Sequence, residues 1–466
     1  MIRFDEKDIE LLSIPLPDSV DRYKKSAQFE KEISEIDKIL GDSSLSRSLE
    51  RRLSLERVIA SVMKDDYSRD FESMLSLLRE RYEGVKEETL KELTALGYAD
   101  YILKDGEVYY QDDALANIRV TCSRFLKNLK ENGSLDIEGC PAECYRGQNN
   151  NARIMKERGG RAFRFTLTFS MSLSDDFVRE GEEITVHLPY PTECAEQSDV
   201  ELISSSHPVY ISDSDQRTAC IKAIASKGER YSVTFSYVSK YAYNQFDPSK
   251  VSSEQPSFYT EEKPPHITFT PHVRELAKKI VGSEKNPLLM AKAIYDYLTN
   301  EINYSYMRPY LCLDNISEFA LQNKRGDCGV QSIAFITLCR ALSIPARWQS
   351  GATVSLEDGI GSHDWAEIYV APYGWIPVDT SYGGGARRRK DEFIREYFFG
   401  NLDPFRLITS KDFQAEFDPP KSFLRTDPYD NQVGEAEYKD SGAFFSDFRT
   451  SRTVESEEDL TDIYFK

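Results

Sequence analysis

From residue 18 to about 135, apolar positions recur at three- and four-residue intervals among many charges. That spacing predicts helices over 20–40, 45–63 and 71–82, with Leu53, Val58, Ile59 and Val62 on one face. Gly41-Asp-Ser-Ser44 and Tyr82-Glu-Gly84 punctuate the run as turns and caps. A further helix over 90–96 precedes a hairpin about Asp105-Gly106. From Arg161 the period falls to two: Phe163, Phe165, Leu167, Phe169 and Met171 alternate with polar or small residues, as do Ile184, Val186 and Leu188, then Val233, Phe235 and Tyr237. Short alternating runs between Gly, Pro and Asp turns predict a β-sandwich. Helical spacing returns over 272–281, 287–302 and 328–342, followed by strands over 346–353, 363–371 and 375–380.

Helices followed by an antiparallel sheet define an α+β domain. The chain accordingly divides into a helical N-terminal region (1–135), a linker (136–160, containing Cys140-Pro-Ala-Glu-Cys144), a β-sandwich (161–245), a Pro/Ser/Glu-rich linker (246–265) and an α+β domain with its tail (266–466). A chain of 466 residues, 40% hydrophobic, has material for several cores. The helical region is expected to be a packing unit or a docking surface for a protein partner.

The formal net charge of −19 argues against nucleic acid as a partner, and so against reading the helix and hairpin before residue 110 as a winged DNA reader. Arg387-Arg-Arg-Lys390, after Gly383-Gly-Gly385, reads as a solvated loop, or as a selector of acidic substrates. No window has the ~18 uninterrupted apolar residues of a membrane span. The start, Met1-Ile-Arg-Phe-Asp-Glu-Lys-Asp8, lacks a basic segment followed by an apolar one, which leads to a cytoplasmic expectation. Eight sparse cysteines fit a reducing compartment. No metal-like Cys/His spacing and no EF-hand loop is present, so neither metal nor cofactor is expected.

The chemistry gathers on three residues. Asp327 is placed to cap the helix that begins at Cys328, which would set the thiol among unpaired N–H groups. There the helix dipole favours a thiolate, and the N–H groups can donate to an oxyanion. Along the strand that opens at His363, alternation puts His363, Trp365 and Glu367 on one face, and Asp364, Ala366 and Ile368 on the other. A hairpin through Tyr373-Gly374 would bring Asp379 beside His363, to hold one ring nitrogen while the other meets the thiolate. Each residue alone has an ordinary role, and Cys339 in the same helix reads as a small core hydrophobe. Together, in this order, they form a nucleophile, a base and an orienting carboxylate.

Gly326-Asp327-Cys328 leading into an apolar helix, then His363-Asp-Trp-Ala-Glu367 and Trp375-Ile-Pro-Val-Asp379, resembles the core of the transglutaminase-like cysteine enzymes, a papain-like α+β arrangement. The resemblance implies a Cys328–His363–Asp379 triad. It runs over about 265–435, with Leu342-Ser-Ile-Pro-Ala-Arg347 and Phe399-Gly-Asn-Leu-Asp-Pro-Phe-Arg406 similar to segments of bacterial members. Leu188-Pro-Tyr-Pro191 with Gln197 is similar to a β domain that precedes the core in such proteins. Ser343 stands where the family often has Gly, and Asp379-Thr-Ser381 where it has Asp-Pro-Thr. The implied activity is acyl transfer from a peptide or carboxamide through a thioester, to water (peptidase or amidase) or to an amine (transglutaminase). A glycan-releasing amidase and a non-catalytic scaffold are the alternatives. An extra oxyanion donor is sought in Gln322, Tyr304 or Tyr306, and Trp365 is a candidate wall of the site.

Overall fold

The computed structural model describes residues 6–82, 84–95, 97–121 and 146–465. Cys140 and Cys144, in the expected linker, lie outside the described residues.

The helical N-terminal region packs around more than one core. Phe71–Arg81, Glu87–Ala95 and Ala114–Thr121 bury Met74, Leu78, Leu90, Leu93 and Ile118 with the hairpin Tyr101–Lys104/Glu107–Tyr110, which turns at Asp105-Gly106. The longest helix, Arg47–Asp66, packs differently. Its Leu55, Ile59, Ala60 and Met63 join the same apolar cluster as Ile294, Val330 and Ile368 of the α+β domain. The predicted 20–40 helix is broken into Asp18–Lys25 and Phe29–Leu40, with Ala27 at φ 50° between them.

The sandwich is formed as the alternation predicts, with Phe163, Phe165, Leu167, Phe169 and Met171 all buried. Gly160–Leu173, Tyr231–Ala242 and Gln197–Ser205 form one antiparallel sheet; Glu183–Pro189, Thr218–Ile224 and Val209–Ile211 form the other. Each gains an edge strand from the far end of the chain: Phe448–Asp459 pairs with Gly160–Leu173, and Glu435–Tyr438 with Glu183–Pro189. The tail beyond 434 is therefore part of the sandwich and not, as expected, of the α+β domain. Part of the expected 136–160 linker is also a helix, Arg146–Arg158, whose Ala152 and Met155 are buried against Tyr397 and Ile394.

In the α+β domain, Pro271–Val281, Pro287–Glu301 and Cys328–Ala341 match the predicted helices, and Ile316–Asn323 is added. The sheet is antiparallel in the order Gly374–Val378, Gly359–Val370, Ala346–Ser355, Arg406–Ser410. Its two faces bury different things. Ala366, Ile368, Val370 and Trp348 meet the Cys328–Ala341 helix, while Trp365 and Ile408 pack with Tyr397 and Phe398 on the opposite side. The stretch read as a Gly-rich loop with a basic run is a helix, Thr380–Arg388. It is pinned because Gly383 lies so close to Tyr295 that a Cβ there would meet its hydroxyl at 1.9 Å.

Candidate active site

The cysteine helix begins as predicted. Asp327 accepts a hydrogen bond from Val330 N at 3.0 Å, which caps the first turn. Tyr310 Oη donates to the same carboxylate oxygen. The next residue must be small: a Cβ on Gly329 would lie 2.2 Å from Tyr310 Oη and 2.8 Å from Asp364 Oδ2. Cys328 is 8% exposed.

The predicted imidazole–carboxylate pair is also present. Asp379 Oδ2 meets His363 Nε2 at 2.7 Å and accepts from Arg406 Nη2 at 2.9 Å. Its Oδ1 accepts from Tyr382 N at 3.0 Å and Ser381 Oγ at 3.1 Å, so the carboxylate also caps the following helix. Asp379-Thr-Ser381, where the family has Asp-Pro-Thr, thus supplies a hydroxyl donor. Burial alone would push the Asp379 carboxyl up; the His363 and Arg406 charges and the Tyr382 amide overcome it and hold it well below the usual range. The imidazole stacks on Tyr382 with centroids 4.3 Å apart, and Arg406 lies over Tyr382 and Trp365. With Nε2 committed to Asp379, Nδ1 is the nitrogen left for a thiolate.

The thiol departs from expectation. Cys328 Sγ donates to Asp364 Oδ2 at 3.4 Å, and no hydrogen bond joins Cys328 to His363 among the described residues. The thiol is engaged by Asp364, the next residue along the strand from His363. The expected depression of the thiol pKa is reversed. Burial, reinforced by the Asp364 and Asp327 charges, pushes the Cys328 thiol well up, against any contribution of the helix dipole.

Gln322 and Tyr306, two of the expected oxyanion donors, have other partners in this arrangement. Gln322 is exposed and donates to Glu318 at 2.8 Å; Tyr306, 39% exposed, packs edge-on against Tyr304. The aromatic hydroxyl at the start of the cysteine helix is that of Tyr310. Trp365 is buried, donates its indole N–H to Gln349 at 2.7 Å and lies 5.9 Å from the His363 ring. Cys339 is a buried core residue, as read. Among the remaining histidines, His187 and His266 are buried, His272 is paired with Glu318, and His207 lies beside Glu229.

Sequence reasoning missed four participants. Asp364 was visible in the motif but assigned no role. Arg406 closed a segment noted for its resemblance alone. Gln432 and Asp430 stood in no motif: Gln432 Nε2 donates to Asp364 Oδ1 at 2.6 Å, and Asp430 accepts from Ser350 Oγ at 2.6 Å.

Residues 274–380, which contain all three predicted triad positions, match the family model of the Transglutaminase-like superfamily. That segment therefore carries the superfamily's core, and the fold is α+β as predicted. The chain is 31% identical over 172 residues to an uncharacterized protein of Haemophilus influenzae, a match over 30% of this chain and 46% of that one. It is 30% identical over 128 residues to the uncharacterized protein YebA of Bacillus subtilis, covering 24% and 17%. The matches thus span less than half the length of either relative. Among solved structures it is similar to a candidate cysteine protease from Cytophaga hutchinsonii, at 15% identity and a TM-score of 0.37 over 64% of this chain and 91% of that one. It is also similar to the periplasmic domain of TgpA from Pseudomonas aeruginosa, at 14% identity and a TM-score of 0.28 over 53% and 96%. Among the described residues, no helix is long and apolar enough to cross a membrane.

Proposed function

We propose that this protein is a cysteine-dependent acyl-transfer enzyme that hydrolyses a peptide or carboxamide bond through a thioester on Cys328. The observation that carries the reading is a cysteine in the capped first turn of a buried helix, hydrogen-bonded to Asp364, the residue next to an imidazole whose Nε2 is held by a buried carboxylate. In this mechanism Cys328 Sγ gives its proton to His363 Nδ1 and attacks the carbonyl carbon. Helix N–H groups donate to the oxyanion. The imidazolium, stabilised by Asp379, protonates the departing amine; His363 then takes a proton from water, whose oxygen attacks the thioester and releases the acid and the thiol. An amine in place of water would give transamidation by the same first half-reaction.

Cys328→Ala should lower turnover of a peptide and glutamine-amide panel at least ~10³-fold, since no other group supplies the nucleophile. Running the panel with and without a primary amine separates hydrolysis from transfer, and a denatured glycopeptide in the same panel tests the glycan-releasing variant. Equal turnover by Cys328→Ala and wild type would overturn the reading. No turnover by either, with capture of a protein partner unaffected by the substitution, would replace it with the scaffold.

A further inference from the structure

Resting on that acyl-transfer reading, we infer that Asp364 sets the state of the nucleophile: held by the segment 411–434, it keeps the Cys328 thiol neutral and latent.

The thiol hydrogen bond ends on Asp364 Oδ2, and the other oxygen of that carboxyl is fixed from the far side by Gln432. The same Gln432 amide also donates to His363 O at 3.3 Å, so one side chain grips two successive residues within the Gly359–Val370 strand. The segment is itself well anchored. Phe413 packs on Trp348 at 5.4 Å, the Tyr429 hydroxyl meets His266 Nε2 at 2.7 Å, and Arg452 of the C-terminal strand donates to Gln432 O at 3.1 Å. Cys328 and His363 are both buried, at 8% and 4% exposure.

The charges around the sulfur agree with this geometry. Facing the sulfur and Asp364 are Asp327 at the cap of the cysteine helix, the Tyr310 hydroxyl from the preceding turn and Asp430 from the segment, with Asp427 and Arg425 of the segment facing Asp430 in turn. Arg425, a cation among these described residues, spends hydrogen bonds on Gln216 and the Ala415 carbonyl and lies over the Phe417 ring. Burial and the neighbouring Asp430 and Asp327 push the Asp364 carboxyl itself well up. An ionised thiol would therefore be one more anion in a site that already disfavours charge, which Coulomb repulsion and desolvation both oppose. Displacing 411–434 removes Gln432 and Asp430 and frees Asp364 to turn to water. Sγ can then pass its proton to His363 Nδ1, giving a thiolate beside an imidazolium already paired with Asp379. Since 411–434 leads directly into Glu435–Tyr438, the sandwich is the handle on this latch.

The test is iodoacetamide labelling of Cys328 between about pH 6 and 9, read by peptide mass spectrometry on the full chain, with Cys339 as internal reference. Asp364→Asn and Gln432→Ala should each label Cys328 at least ~10-fold faster than wild type at pH 7, the effect of one pK unit. His363→Ala added to Asp364→Asn should move the profile back to higher pH. Unchanged or slower labelling in a folded Asp364→Asn overturns the inference, because a carboxylate that served as proton acceptor or as structure would give that result. Should Asp364→Asn fail to fold by circular dichroism, Gln432→Ala decides alone by the same criterion. Faster labelling with no turnover on any substrate would sink the acyl-transfer reading and leave this inference standing; turnover by wild type with unaltered labelling in both variants would do the reverse.

Discussion

Arg406 has no exposed surface, and its guanidinium is set against Asp379 and Asp403 on one side and two aromatic faces on the other. A buried carboxylate that holds an imidazole needs a fixed countercharge, since removing one partner of a buried pair strands the other at a cost of about 3–5 kcal/mol. Arg406→Met is therefore expected to destabilise the fold by about 3 kcal/mol at neutral pH. Asp379 has a depressed folded-state pKa, so its stabilisation is complete above the unfolded value of about 4 and is lost as pH falls below it. With Arg406 gone that depression shrinks. The thermal midpoint should fall at pH 7 and the difference from wild type should narrow on acidification toward pH 3. A difference that stayed constant over that range would mean that Arg406 acts by packing and not through Asp379.

The helix Thr380–Arg388 shows where legibility in the sequence ended. Apolar runs bounded by polar and turn residues located the cysteine helix, the histidine strand and the aspartate hairpin, although the histidine strand begins four residues earlier, at Gly359. Gly383-Gly-Gly385 carries no such pattern and has poor helix propensity, yet it folds as helix because Asp379 caps it and Tyr295 presses against it. Replacing Gly383 by Ala would gain about 1 kcal/mol of helix propensity. The overlap with Tyr295 is the larger effect, and overpacking of this kind costs about 1–3 kcal/mol or more. Gly383→Ala should lower stability, and Tyr295→Phe, which removes the clashing hydroxyl along with its hydrogen bond to Arg395 O, should recover part of the loss. Additive losses in the double variant, measured by denaturant unfolding, would show that the two residues do not press on each other. The contacts of Asp364 were unreadable for a different reason: its partner Gln432 is 68 residues away in a segment without periodicity.

Across the whole molecule, the divisions drawn from composition give way to shared cores. The Arg47–Asp66 helix, read as part of a separate packing or docking region, contributes Leu55, Ile59 and Met63 to the cluster that holds the cysteine helix. Ala352, Val354 and Leu407 of the α+β sheet are buried with Phe163, Phe165 and Phe235 of the sandwich. The last two strands close the loop, since Ala436, Tyr438, Ala443 and Phe448 lie in that same cluster while Arg452 reaches Ser362 Oγ at 3.0 Å, next to His363. Ending the chain at residue 434 would thus strip an edge strand from each sheet of the sandwich, leave one edge of the Phe-rich strand Gly160–Leu173 unpaired and free the segment that carries Gln432. Unpaired apolar edges pair with one another, so the truncated chain should express as aggregate. Co-expression of 435–466 should restore part of the soluble yield, because the missing strands add at edges and need no threading. A soluble truncated chain with the thermal midpoint of the full protein would show that the C-terminal strands decorate the sandwich without holding it together; the latch over Cys328 would then have to be anchored from 411–434 alone.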